Sequence, residues 1–290
     1  MWFVMIPLSM MMGWIEGIFL GDKMTRSTYA GYGATAGVML RKAPAPMQNR
    51  VLMAWLIFAV DRISRKFGYR FKWKTMTHLY TYMALKWLMM GTVLCLDAYL
   101  FGLGPALFLA LCYVLVWMFD YWCVYAEALT FLLALTGSLP LALLACMLGP
   151  LSRESTLLAP AIYFFVTGDF VGSAICTGVW LAIYLLKKKW VGNPPWYTDR
   201  FTLKTILNWR AFLASHPGRE PYFAFAIFFV IMSMALLPGY HALPVSLEQT
   251  AWVVPTLILM GGFLTGFLWE PRVFINVAIW IGPLLLLGGS

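Results

Sequence analysis

The chain has 290 residues, 62% of them hydrophobic and only 11% charged, with a mean hydropathy of +0.78. Soluble domains carry roughly a quarter charged residues, so that class is excluded and a polytopic α-helical membrane protein is expected. The net charge of +9 sits on residues that flank apolar runs rather than on one face of a soluble module, which excludes nucleic acid as a partner.

The opening run, MWFVMIPLSMMMGWIEGIFLG, has the length of a signal peptide but no basic n-region and no A-x-A-like cleavage site. It reads as a retained membrane segment containing Glu16, with Asp22 in the loop behind it. More than half of the 21 Lys and Arg then fall between residues 21 and 75, and a second cluster runs from Lys187 to Arg219. Both regions are expected on the cytoplasmic side, where they attract anionic lipid headgroups.

The run VLMAWLIFAV, 51–60, rises about 15 Å as a helix, roughly half a membrane. Bracketed by Arg50 and by Asp61, Arg62, Arg65 and Lys66, it fits an interfacial or re-entrant helix over 51–66. Against the roughly 20 residues that a crossing needs, apolar runs fall near 2–20, 77–100, 104–124, 127–148, 156–187, 221–240, 250–268 and 273–287, the last of them short. The fifth is too long for one straight crossing and is expected to break near Gly168-Asp169. The connection 188–220 reads as a basic cytoplasmic loop, with Asn-Pro-Pro and His-Pro-Gly as turns. The expected fold is all-α: a polytopic integral membrane helix bundle of about 7–9 transmembrane helices plus the interfacial helix, one domain over 1–290. On this count of crossings residues 149–155 face the side opposite the basic regions.

Within that frame the stretch GPLSREST, 149–156, keeps Arg153 and Glu154 between two very apolar runs. Gly149 and Pro150 are expected to end one helix and Ser152 to N-cap the next, with Glu154 favoured in its first turn. A cap does not account for Arg153, whereas a phosphate or lipid diphosphate would, because a guanidinium grips it bidentately. Arg50, in PMQNRVLMAW, doubles as a headgroup-snorkelling side chain, and Glu270/Arg272, in FLWEPRVF, as an anchor for a tight interhelical turn. Asp97, Asp120 and Glu127 lie in or at the ends of expected spans, where ionisable groups point to function. Lys86 is a structural partner for Asp97, and Asp120 and Glu127 share a helical face if the segment between them is helical throughout.

The five cysteines all fall in apolar runs without a CxxC pair, and the three histidines are scattered. Neither a disulfide framework nor a zinc site is expected. The glycines of GYGATAG lack the dinucleotide spacing, and no GxSxG, HExxH or P-loop pattern occurs.

Four segments in order, QNRVLMAW, FDYWCVYAEAL, LSREST and EPRVF, resemble those of bacterial integral-membrane proteins related to the polyprenyl-phosphate-dependent (GT-C type) glycosyltransferases. Ala54 and Ser155 stand where that family's pattern has Pro and Thr. The resemblance implies a polyprenyl-phosphate sugar donor, a sugar acceptor and a place in the bacterial inner membrane. It also implies an acidic base in the first loop, for which Asp22 and Glu16 are the candidates, with Arg153, Arg50 and Arg272 on the lipid phosphate. Glu154 is a further catalytic candidate or the group that orients Arg153, while Asp120 and Glu127 are candidates for substrate binding. A lone carboxylate beside a phosphate substrate would permit Mg²⁺. Two other readings stand beside this one. The 18 Met suit a non-catalytic subunit packed against membrane-protein partners. A lipid or solute transporter would instead show inverted repeats and midplane charges.

Overall fold

The computed structural model describes residues 51–67, 74–115, 122–192 and 275–287, with a few positions between 250 and 258. Every regular element among them is helical: α1 (Leu52–Lys66), α2 (Lys74–Phe101), α3 (Leu103–Leu115), α4 (Trp122–Leu135), α5 (Leu139–Ser152), a 3-10 turn (Glu154–Leu157), α6 (Leu158–Thr167), α7 (Phe170–Val191), a second 3-10 turn (Ile275–Val277) and α8 (Ala278–Leu287). Two stretches are long and apolar enough to cross a membrane, Thr81–Phe101 and Phe170–Val191; Leu103–Tyr113, Trp122–Leu135, Leu139–Ser152 and Glu154–Thr167 are apolar but shorter. The all-α expectation therefore holds. The described residues supply two full-length candidates rather than seven to nine.

Short turns fold these helices back on one another. Gly102, at φ 93°, joins α2 to α3 with a single residue, in a conformation that side-chain-bearing residues rarely take. Gly137, at φ 68°, closes the turn between α4 and α5, and Pro140 follows in the first turn of α5. That turn splits the run 127–148, which reads in sequence as one crossing. The expected break at Gly168-Asp169 is present. Gly168 ends α6 in the left-handed conformation, and the Asp169 side chain caps α7 by accepting the Gly172 N–H at 2.9 Å. Ser173 Oγ then donates to the Pro160 carbonyl at 2.9 Å across the hairpin.

Helix α4 is the centre of the fold. Of its residues only Leu129 is not buried, as expected of a helix apolar all round. It packs against α2, α5 and α6, with Phe131 and Leu132 at 0% exposure in the main core. Helix α1 lies at one end of the bundle: Leu52, Met53 and Ile57 pack with Tyr82, Trp122 and Cys123, and Val51 and Ala54 pack with Leu151, Trp190 and Val191. The start of α4, the end of α5 and the end of α7 thus share an end, while Gly137 meets Val166 and Thr167 at the other.

This arrangement overturns the expected sidedness of residues 149–155. Because both 127–148 and 156–187 fold as hairpins, the chain traverses the bundle twice in each. Residues 149–155 consequently sit at the same end as Lys187–Val191 and the start of α1, not opposite them.

Candidate functional site

The site grows from Glu127, which α4 carries into the core at 2% exposure. A carboxylate there is tolerated only if it is paired and hydrogen-bonded. Arg153 Nη1 donates to its Oε2 at 2.6 Å, Asn276 Nδ2 donates to the same oxygen at 2.8 Å, and Ser155 Oγ donates to Oε1. Asn276 also donates to the Val124 carbonyl at 3.1 Å and accepts from Tyr113 Oη at 3.2 Å. Tyr113 in turn meets Tyr125 edge to face with ring centroids 4.9 Å apart. One carboxylate therefore ties α3, α4, the 149–157 segment and the start of α8 together.

Arg153 reaches Glu127 because the backbone breaks there. It is extended, at φ −152° and ψ 149°, between α5 and the 3-10 turn. Its carbonyl accepts from Thr156 Oγ1 at 2.6 Å, and Trp180 Nε1 donates to the same hydroxyl at 3.1 Å. Gly149 leaves room for this: a Cβ there would lie 2.6 Å from Thr156 Oγ1 and 2.7 Å from its Cβ. The guanidinium side chain keeps 12% exposure. Held on one side by a buried acid, it is a fixed cation.

The helix-start expectation fails in detail. Helix α5 runs through Pro150 to Ser152, whose hydroxyl donates back to the Gly149 carbonyl at 2.7 Å instead of capping the next turn. Glu154 does occupy the first turn of the following 3-10 helix. It is 45% exposed and lies 3.6 Å from Lys187 Nζ. Arg153 pairs with Glu127 rather than with its sequence neighbour Glu154.

Of the other sequence candidates, Glu16, Asp22, Arg50, Asp120 and Arg272 lie outside the described residues. Val51, next to Arg50, packs against Leu151, and Ile275–Val277, just beyond Arg272, carries Asn276 onto Glu127. The expected Lys86–Asp97 pair does not form, since both carboxyl oxygens of Asp97 lack a hydrogen-bond partner. No cluster of His, Cys, Asp or Glu able to hold a metal ion occurs among the described residues, and Mg²⁺ enters no step below.

Sequence reasoning missed Asn276, Lys187, Thr156 and Tyr113. Asn276 carried a usable signal, as a lone amide inside the apolar run VFINVAIW. Lys187 carried none, because it opens the run KKK and reads as one interfacial lysine among three. Compared with known proteins, the chain matches no family model, no curated protein and no solved structure.

Proposed function

We propose that the chain is a polytopic integral membrane protein, of a bacterial inner membrane, that works as a glycosyltransferase-like enzyme on a polyprenyl-phosphate sugar donor. One observation carries the reading. The acidic-aromatic and LSREST segments converge on the Glu127 carboxylate through Glu127, Arg153 and Ser155, and Asn276, from a third part of the chain, donates to it as well.

On this reading Arg153, 12% exposed, meets the lipid phosphate while Glu127 fixes its plane. Fixed positive charge of this kind stabilises a leaving phosphate without reorganising during the reaction. Glu127 and Asn276 are positioning residues, and Ser155 shares the load on the carboxylate. Glu154, exposed beside Lys187, is the described acid nearest in sequence to Arg153. Asp22 and Glu16 remain the candidates for the base on the acceptor, with Arg50 and Arg272 as further phosphate ligands.

A second reading has its own observation. The Arg153–Glu127 pair is internal and Arg153 only 12% exposed, as in a non-catalytic subunit whose charges serve packing alone. Binding of a polyprenyl phosphate to purified wild type, Arg153→Ala, Arg153→Lys and Glu127→Gln in nanodiscs separates the two. The enzyme reading expects binding lost in the alanine variant and weakened at least tenfold in the lysine variant, with both still folded. Equal binding by all four proteins leaves the subunit reading.

A further inference from the structure

The far half of α1 is poorly covered by the fold, and its uncovered surface is not uniform. Beyond Ile57, Phe58, Val60, Ile63 and Phe67 are 46%, 36%, 55% and 76% exposed. At 100° per residue Val60, Ile63 and Phe67 fall on one strip, and Phe58 falls with Arg62, Arg65 and Lys66 on another. Asp61 offsets part of that charge by pairing with Arg65 at 2.6 Å. A helix end carrying an apolar strip beside a basic one, and too short to cross a bilayer, suits the boundary between headgroups and acyl chains.

The end of α7 adds to the same surface. Trp190 meets Trp55 of α1 edge to face, with ring centroids 5.5 Å apart. Lys188 and Lys189, immediately before it, are exposed. Leu181, Leu185 and Leu186, at 45%, 61% and 64% exposure, form an uncovered apolar surface beneath them. Lysines above an apolar helix face, with tryptophans beside them, are the arrangement in which cations reach up to phosphates while their stems stay in hydrocarbon. The nearby acid, Glu154, faces the buried Lys187.

We infer that Arg62, Arg65, Lys66, Lys188 and Lys189 form one cationic headgroup platform, built jointly by α1 and α7 around Trp55 and Trp190. It seats this end of the bundle on an anionic phospholipid leaflet. The partner is a lipid surface because the cations lie beside exposed apolar side chains, which a soluble polyanion would leave in water. The inference rests on the membrane reading above and adds a side to it. Arg153 lies at the platform end, so a lipid-linked phosphate would be met in the anionic, positive-inside leaflet rather than across the bilayer from it.

The test compares thermal unfolding of the full chain in nanodiscs of phosphatidylcholine alone and of phosphatidylcholine with phosphatidylglycerol. The wild type is expected to melt higher in the anionic discs, with the gain shrinking as salt screens it. In R62Q/R65Q/K66Q/K188Q/K189Q the gain is expected to vanish while melting in phosphatidylcholine stays near wild type. The separate R62Q/R65Q/K66Q and K188Q/K189Q variants are expected to lose part of it each, and they keep the test open if the five-fold variant does not fold. Inorganic phosphate added to phosphatidylcholine discs is expected to give no gain. A gain of equal size in wild type and all variants, no gain in wild type, or the same gain from inorganic phosphate would overturn the platform. Alkaline carbonate washing of membranes tests the underlying reading separately: release of the chain sinks both, whereas retention without an anionic preference sinks the platform alone.

Discussion

Lys187 Nζ donates to the carbonyl oxygen of Pro150 at 2.6 Å, joining two positions 37 residues apart. The lysine side chain is 1% exposed, and a buried ammonium is costly unless its protons are used. Here it lies 3.6 Å from Glu154 Oε1 and 4.9 Å from the centre of the Tyr184 ring. It also supplies a donor to the last turn of α5, whose carbonyls have no partner within the helix. Lys187→Met should therefore lower stability by about 1–3 kcal/mol, the cost of an acceptor left unmet, in reversible unfolding measured in detergent. Lys188→Met, exposed on the same helix, should change it by less than about 0.5 kcal/mol. Equal effects of the two substitutions would show that burial at position 187 confers nothing.

The Glu127–Arg153 pair should show the strongest coupling among the described residues. Removing either partner strands a buried charge, so Glu127→Ala and Arg153→Ala should each cost about 3–5 kcal/mol. Glu127→Leu combined with Arg153→Met removes both charges and keeps volume, and should cost well under the sum of its single changes. A double-mutant cycle in unfolding free energy checks this. Additive costs would mean that the 2.6 Å contact contributes no coupling.

How far sequence reaches is clear from these residues. Glu127 and Arg153 stood out because charge in an apolar run is rare enough to need a reason. The 51–66 helix was legible from its length and flanking charge, and the Gly168-Asp169 break from a run too long to be straight. The Gly137 turn was passed over because apolar residues continue on both sides of it, although Gly-Ser-Leu-Pro carries a left-handed turn, a helix start and an early proline. That one omission, with the hairpin at Gly168, reversed the expected side of residues 149–155. The partners of Glu127 were not legible, because which face of α4 meets Asn276, 149 positions away, depends on packing that no local pattern encodes.

Asp169 gives a pH signature at the far end of the α6–α7 hairpin. The Gly172 N–H, then the Tyr163 hydroxyl, hold its carboxyl below the ordinary aspartate range. A carboxyl depressed on folding stabilises the fold above its unfolded value, and this contribution disappears as pH falls through the folded value. Melting temperature should thus decline on acidification below about pH 4, the ordinary aspartate range. Asp169→Asn should flatten that part of the profile, since an amide oxygen still accepts the Gly172 N–H without titrating. A profile of unchanged slope in the variant would assign the acid loss to other groups.

Asp97 is the described group the fold serves worst. It is 1% exposed, and neither carboxyl oxygen has a hydrogen-bond partner. Charged, it lacks a counterion in hydrogen-bonding contact; neutral, it still buries two unmet polar atoms, at about 1–3 kcal/mol. Its closest apolar stand-in in size, Asp97→Leu, should raise unfolding free energy by an amount of that order, and Asp97→Asn by less because the amide is polar too. Measured beside phosphate-lipid binding, the leucine variant separates two reasons for keeping an aspartate inside a helix that can cross a membrane. Higher stability with binding retained makes Asp97 a dispensable burden, whereas higher stability with binding lost makes it a functional group maintained against the fold. Lower stability would show that Asp97 has a partner in the folded protein after all, and the premise would fall.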